Sequence, residues 1–294
     1  MKAFEYIRAE SKAHACDMLA RWSTGASVLA GGTDLLLTLR RANGSSPKAI
    51  VDISRIREME GVSAADDSVT IGPLTVHSSI QRSEYIRANA PLLSVAASMI
   101  GSPQIRNRGT IGGNIMNAAT CADTIPPLVA LGASVSLKSV RGSRRMPLEQ
   151  LFTGPYVTVA SPDEILEEIS FPKLPPKTST SFVKLGRRNA LSIARLSVAC
   201  ILMYDGKGRI LEARIVPGAA FPTWHRIADA EQILKGEVPS AELFEAAGRS
   251  TAGAMIAEAG RRWSTAYKEP VLAALVARGL QQCNNLPGKE RKVR

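Results

Sequence analysis

The chain has 294 residues, 45% of them hydrophobic and 21% charged, the balance of a globular protein with one large or two medium domains. Its net charge of +11 is uneven: residues 1–175 hold 18 Lys/Arg against 16 Asp/Glu, and residues 176–294 hold 19 against 10. No apolar run reaches the roughly 20 residues of a membrane span, the start MKAFEYIRAESKAH lacks the core of a secretory signal, and Cys16, Cys121, Cys200 and Cys283 are too scattered for a disulfide framework, a metal motif or an iron–sulfur cluster. A cytoplasmic protein is expected, with no membrane contact and, for want of an aromatic-interleaved basic motif, no nucleic-acid partner.

Residues 1–56 read strand–helix–strand–helix–strand. Ser11 can cap a helix whose face carries Ala15, Met18, Leu19 and Trp22 at i, i+3, i+4, i+7 spacing. Val28 to Ala30 form a strand that runs into Gly31-Gly32-Thr33-Asp34, and Leu35 to Arg40 have helical character. A strand, a double-glycine turn and a helix start offer free amide hydrogens to a phosphate. Thr33 adds a hydroxyl there, and Asp34 suits the helix cap. Ala49 to Ile53 form the next strand, and His14 takes no role.

Residues 57–175 read as a second lobe. Ser68 to Pro73 form a strand closing on a turn; Pro91 to Ile100 form a helix with Leu92, Val95, Ala96 and Met99 on one face, ended by Gly101. His77 packs or caps near a helix start. Ser102-Pro103 leads into the stretch Arg106 to Asp123, which sets three glycines, two threonines, two arginines and one acid in eighteen residues. Gly109, Gly112 and Gly113 permit close backbone approach, and outward-pointing amides in such a turn make a concave anion site. Thr110 and Asn114 add neutral hydrogen bonds, and Arg106 and Arg108 add positive field. Asp123 would repel a phosphate and is better matched to sugar hydroxyls. A purely structural turn would use the same glycines, and this stretch alone does not choose. Neither glycine loop fits the dinucleotide fingerprint or the P-loop; two of them about eighty residues apart point to a two-phosphate ligand held from both sides on a non-Rossmann scaffold. Pro126-Pro127 start a short helix to Leu131, and Ala133–Lys138 and Ile165–Phe171 read as strands.

Three prolines between Pro172 and Lys177 mark a domain boundary. Beyond it Thr180–Leu185, Ser197–Tyr204 and Arg209–Val216 read as strands, the last two joined by the hairpin turn Asp205–Gly208. Helices follow over Ala228–Lys235, Ala241–Gly248 and Tyr267–Cys283, and a disordered tail over Gly288–Arg294. Lys184 to Ser192 form a basic loop, and His225 is structural. With three histidines and no Ser–His–Asp set, zinc spacing or paired carboxylates, acid–base catalysis is poorly provided for.

The pair AGGTD at 30–34 and TIGGN at 110–114, with Asp123 downstream, resembles the FAD-binding medium subunit of the molybdenum hydroxylases, and the run GSPQIRNRGTIGGNIMNAATCAD is most like the bacterial xanthine dehydrogenase type. FEYIRAES near the start and VDIS at 51–54 fit too, so the resemblance covers nearly the whole chain. It implies an α+β fold: a two-lobed PCMH-type FAD-binding domain over residues 1–175, with lobes 1–56 and 57–175, then a smaller α+β domain over 176–294 with a three-stranded antiparallel sheet and helices. It implies non-covalent FAD held at Leu29, Ala30, Gly31, Gly32, Thr33, Asp34, Thr110, Gly112, Gly113, Asn114, Asn117 and Asp123. Leu166 would lie on a strand passing the flavin, Ala118 would bring backbone close to it, and Lys184 would stand near the ring. Electrons would come from 2Fe–2S clusters on a small partner subunit, themselves fed by molybdopterin on a large one, and leave to NAD+ or another acceptor. Arg187 and Arg188 could meet nucleotide phosphates or an acidic partner. Asn189 and Ala190 replace the acidic pattern some members carry there. Two other classes stay open: a self-contained flavin oxidase of related fold, and a basic nucleic-acid-binding module whose glycine loops are only turns.

Overall fold

The computed structural model describes residues 3–41, 47–188 and 191–284; the tail expectation at Gly288–Arg294 and the positions Asn189 and Ala190 lie outside them. The first lobe holds β1 (Glu5–Arg8), α1 (Lys12–Trp22), β2 (Ala26–Leu29), α2 (Leu35–Arg41) and β3 (Ala49–Asp52), with the parallel sheet ordered β1-β3-β2. The Ser11 hydroxyl accepts from the His14 N–H at 3.1 Å and so starts α1 where the sequence places it. Central strand β3 is buried at all four positions, and Ala15, Cys16 and Leu19 of α1 pack over Val51, Ile53 and Met59. Parallel strands need crossovers, and α1 and α2 supply them.

The second lobe starts with β4 (Val62–Ala64) and β5 (Ser68–Ile71). Six short helices follow: α3 (His77–Arg82), α4 (Glu84–Asn89), α5 (Pro91–Ser98), α6 (Pro103–Arg106), α7 (Ile111–Asn117) and α8 (Ile125–Ala130). Then come β6 (Ser134–Ser139), β7 (Gly142–Pro147), the short ribbon β8 (Phe152–Gly154) with β9 (Val157–Thr158), and β10 (Ile165–Pro172). The five-stranded sheet is antiparallel throughout, in order β4-β5-β10-β6-β7. In β6 the alternation is plain: Val135 and Leu137 enter the core, while Ser134, Ser136 and Lys138 face outward. Strand β10 joins the lobes, with Ile165 in the core of the first and Leu166, Ile169 and Phe171 in that of the second.

The face expected for α5 is wrong by about a third of a turn. Leu92, Leu93, Ala96 and Ala97 are buried, and Val95 and Met99 are exposed. The helix is wedged between α3, α8 and the next domain, and its sequence is apolar almost all round, so spacing alone could not phase it.

The last domain pairs β11 (Thr178–Gly186), β12 (Ala194–Tyr204) and β13 (Ile210–Gly218) as an antiparallel sheet, followed by α9 (Ala228–Leu234), α10 (Ala241–Ala259) and α11 (Thr265–Asn284). Strand β12 is buried on both faces. Val198, Cys200 and Leu202 join the core under α10 and α11, while Ala199, Ile201 and Met203 join the core of the second lobe. Helix α10 does not stop at Gly248 but runs eleven residues further, to Ala259. Gly248 is there for another reason: a Cβ on it would collide with the Ala273 carbonyl of α11, so glycine lets the two helices touch backbone to backbone. No helix among the described residues is long and apolar enough to cross a membrane.

Gly248→Ala is therefore expected to cost about 1–3 kcal/mol in denaturant unfolding. Gly253→Ala on the same helix, where a Cβ meets nothing within 4 Å, is expected to be neutral or to stabilise by up to about 1 kcal/mol. Equal effects would rule out the close crossing.

Candidate functional site

The two glycine loops meet. A Cβ on Gly31 would strike the Arg108 carbonyl oxygen and lie 3.0 Å from Gly109 Cα, so the β2–α2 loop rests on the backbone of residues 108–109. Gly32 has φ +76°, the left-handed region that favours glycine. The Leu36 N–H bonds the Gly32 carbonyl at 3.1 Å and the Ile53 N–H bonds Leu29 at 2.9 Å, which pins the loop between α2 and β3. Among the described residues no acceptor meets the N–H of Gly31, Gly32, Thr33, Asp34 or Leu35. Thr33 and Asp34 engage each other, hydroxyl to carboxylate at 3.3 Å, so neither the free hydroxyl expected of Thr33 nor a side-chain cap by Asp34 is seen.

The second loop is different from the outward-facing turn expected of it. Its glycines open a helix, α7, and their amides are already used. The Ile111 N–H goes to Thr75 O at 3.0 Å, Gly112 to Pro73 O at 2.8 Å, Gly113 to the Thr110 hydroxyl at 3.1 Å and Asn114 to Thr110 O at 3.0 Å. A Cβ on Gly112 would lie 2.7 Å from the Pro73 carbonyl, and one on Gly109 3.2 Å from the His77 ring. These two glycines thus serve a close backbone seam with residues 73–77. Thr110 is the helix cap and keeps its hydroxyl proton to donate. Nothing in the local motif signals this seam, because Pro73, Thr75 and His77 lie more than thirty residues upstream. His77 is buried, and burial, helped by Arg106, brings its imidazole down to about 4; it is a neutral packing group at neutral pH.

Downstream, the Thr124 hydroxyl donates to Asn114 Oδ1 at 2.7 Å. Helix α7 ends at Asn117, which is part-exposed, and Ala118 turns the chain with φ 48° and ψ 34° while its carbonyl accepts from the Tyr156 N–H at 2.9 Å. Non-glycine residues rarely hold that conformation, and this one is fully buried. Asp123 is only 6% exposed and pairs with the Lys184 ammonium, which also donates to Met99 O at 3.0 Å. Lys184 sits within β11 rather than in the loop that follows; there Arg188 closes the turn on Leu191 O at 2.8 Å. Asp123 Oδ1 is buried without a partner. Burial pushes the Asp123 carboxyl up to about 6, against the pull of Lys184. Leu166 is buried in the second-lobe core beside a bulge in β10, so its side chain offers apolar contact only.

The arrangement suits one kind of ligand. Five unmatched amides at a glycine turn can hold a pyrophosphate. A buried carboxylate oxygen with no donor calls for a hydroxyl, as on a ribityl chain or ribose. The groups present therefore fit FAD.

Comparisons with known proteins agree. The family described as FAD binding domain in molybdopterin dehydrogenase matches residues 2–174, and the CO dehydrogenase flavoprotein C-terminal domain matches residues 181–283. The chain is 34% identical to the 6-hydroxypseudooxynicotine dehydrogenase complex subunit alpha of Paenarthrobacter nicotinovorans, over 95% of this chain and 93% of that protein. It is 35% identical to the xanthine dehydrogenase FAD-binding subunit of Escherichia coli O157:H7, over 83% and 84%. Among solved structures, carbon monoxide dehydrogenase from Hydrogenophaga pseudoflava superposes with a TM-score of 0.89 at 30% identity, covering 96% of this chain and 97% of that one.

Two outcomes are expected. Gly31→Val should abolish FAD retention on gel filtration while the circular dichroism spectrum stays native; retained flavin would disconnect the loop contact from binding. The second concerns pH. The folded Asp123 carboxyl, at about 6, lies above its ordinary 3.8, so ionising it costs stability that is present in full below the ordinary value and lost as pH rises through about 6. A ligand hydroxyl on Oδ1 offsets that cost. FAD should then raise Tm more at about pH 7.5 than at about pH 5, and Asp123→Asn should flatten the difference; a pH-independent rise would remove the hydroxyl contact.

Proposed function

The chain belongs to the FAD-binding medium-subunit family of the molybdenum hydroxylases, and from that membership we propose how its oxidoreductase site divides the work and which way electrons pass. FAD is this subunit's cofactor; molybdopterin and iron–sulfur clusters belong to partner subunits. In this reading the cofactor is held without a covalent bond. The open amides from Gly31 to Leu35 take the pyrophosphate, with Leu29 and Ala30 shaping the approach. The Thr110 hydroxyl and the fixed amide of Asn114 border it. Asp123 Oδ1 accepts from a sugar hydroxyl, and Lys184 keeps the carboxylate in place and brings positive charge toward the ring. Asn117 and Leu166 give backbone and apolar contact. Bound FAD supplies the ability to take electrons one at a time and give them up as a pair. What the chain's residues do is orient it and exclude water behind it.

The observation that carries this reading is the row of unmatched amides locked against Arg108, with an unpartnered buried carboxylate oxygen on Asp123. We assign the electron source to 2Fe–2S clusters on a small subunit, the substrate site to a molybdopterin-bearing large subunit, and the acceptor to NAD+. Relatives named as a complex subunit, a medium subunit and a medium chain support the three-part assembly. The xanthine dehydrogenase subunits among them favour a purine as substrate of the whole. Four free cysteines are in keeping with a cytoplasmic location.

The test is anaerobic titration of the FAD-loaded chain with NADH. Loss of the visible flavin absorbance, reversed by NAD+, is expected. A flavin that dithionite bleaches and NADH leaves untouched would remove NAD+ as the acceptor.

A further inference from the structure

Trp263, in the turn between α10 and α11, is 97% exposed, and Ile193, at the entry to β12, is 75% exposed. The Arg195 guanidinium, two residues past Ile193, stands 5.8 Å over the ring of Tyr267, itself exposed on the first turn of α11 four residues past Trp263. Exposed tryptophan, tyrosine and arginine together are the residue types that carry binding energy in protein interfaces. A single exposed apolar side chain is ordinary; several grouped round a cation–aromatic pair are not.

The charges of this patch are unbalanced. Burial, and after it the charges of Arg262 and Arg195, press the Lys268 ammonium downward. Glu269, the nearby acid, is taken by Arg261 at 3.4 Å. Arg262 gives its Nε to the Ala259 carbonyl, and Lys268 gives its ammonium to the Ala219 carbonyl at 2.8 Å. Among the described residues, therefore, no carboxylate meets Arg195, Arg262 or Lys268. Arg262 and Lys268 keep carbonyl partners and Arg195 an aromatic one, so these neighbouring positive charges are uncompensated among the described residues and favour an anionic surface from outside.

The position matters as well. The Ala219 N–H, on the residue that Lys268 grips, bonds the Thr120 carbonyl at 3.0 Å, and Thr120 leads through Cys121 and Ala122 to Asp123. The patch is thus one short hydrogen-bonded chain away from the buried carboxylate of the FAD site. Ile193 and Arg195 lie just past the β11–β12 loop, which begins three residues after Lys184 in β11.

We propose that Ile193, Arg195, Trp263 and Tyr267, ringed by Arg262 and Lys268, form the face on which a carboxylate-rich subunit of the same dehydrogenase docks beside the flavin site. The proposal rests on the subunit reading above. The partner's matching face carries acids round an apolar hollow that takes the Trp263 ring. A nucleic acid would satisfy the cations but leave the aliphatic Ile193 in water, so a protein fits better.

The test compares the assembled dehydrogenase with the free FAD-loaded chain. In hydroxyl-radical footprinting, oxidation of Trp263 should fall at least about tenfold on assembly, because a hot-spot ring is sealed from solvent. Equal oxidation in both states overturns the proposal. The double variant Arg195→Glu, Arg262→Glu should keep the flavin content and Tm of the free chain and weaken assembly at least about tenfold, with Arg195→Lys, Arg262→Lys close to wild type. Unchanged assembly of the charge-reversed chain also overturns it. If the free chain instead binds a mixed-sequence DNA oligonucleotide with quenching of Trp263 fluorescence, the anionic occupant is nucleic acid and the docking face is lost. Flavin content, read in every sample, separates this from the subunit reading: a chain without flavin fails that reading, whereas a flavin-loaded chain without Trp263 protection fails only this one.

Discussion

The contact between Gly31 and the Arg108 carbonyl is the constraint on which the site depends. It brings a loop of the first lobe against a loop of the second with no side chain between them. A backbone resting on a backbone leaves no room for a side chain, and the first loop keeps amides that meet no acceptor among the described residues. The second loop reaches the same place by the opposite arrangement. Its amides are spent on Pro73, Thr75 and its own helix cap, which makes it a rigid shelf. Two sequences that look alike, GGT and IGG, therefore differ physically: one leaves its amides unmatched and the other spends them on support.

Behind the shelf stands the Asp123–Lys184 pair. Both side chains are nearly sealed from water, and a buried ion pair is a poor source of stability because desolvation cancels most of its attraction. The raised carboxyl of Asp123 is that cost made visible. Its value lies in position. Lys184 is on the sheet of the last domain, Met99 ends a helix of the second lobe, and Asp123 follows the glycine stretch, so three segments are fixed at one ammonium. An unpartnered buried carboxylate oxygen is left at the junction, and a donor hydroxyl would satisfy it.

That junction is held by packing on a larger scale. Strand β12 has no water-facing side over most of its length, because one face completes the helical core of its own domain and the other completes the core of the second lobe. The domain is thereby a wall of the flavin lobe rather than a tethered neighbour. Lys184 on β11 and Ala219 after β13 are carried by the same sheet, so Asp123 and Lys268, which contact them, are tied to one framework.

Much of this was written locally. The helix cap at Ser11, the alternation of β6, the hairpin at Asp205–Gly208 and the two glycine motifs each depend on residues a few places apart, where spacing and stereochemistry speak directly, and the resemblance carried by those motifs led to the right family. What spacing could not reveal depends on partners far along the chain. The phase of α5 was set by which of its apolar sides met α3, α8 and β11. Gly248 read as a helix end and is a helix crossing, because only the position of Ala273 distinguishes the two. The glycines of residues 109–113 read as an open turn and form a closed seam, because Pro73 takes the amide of Gly112 and Thr75 that of Ile111, while Ile105 and Thr110 take those of Gly109 and Gly113. By itself, then, the sequence determined the local elements, the kinds of atoms available to a ligand and the family. Tertiary structure alone decided which amides remain free and which carboxylate oxygen lacks a donor, since a hydrogen-bonding group is available only after every nearer partner, however distant in sequence, has been placed.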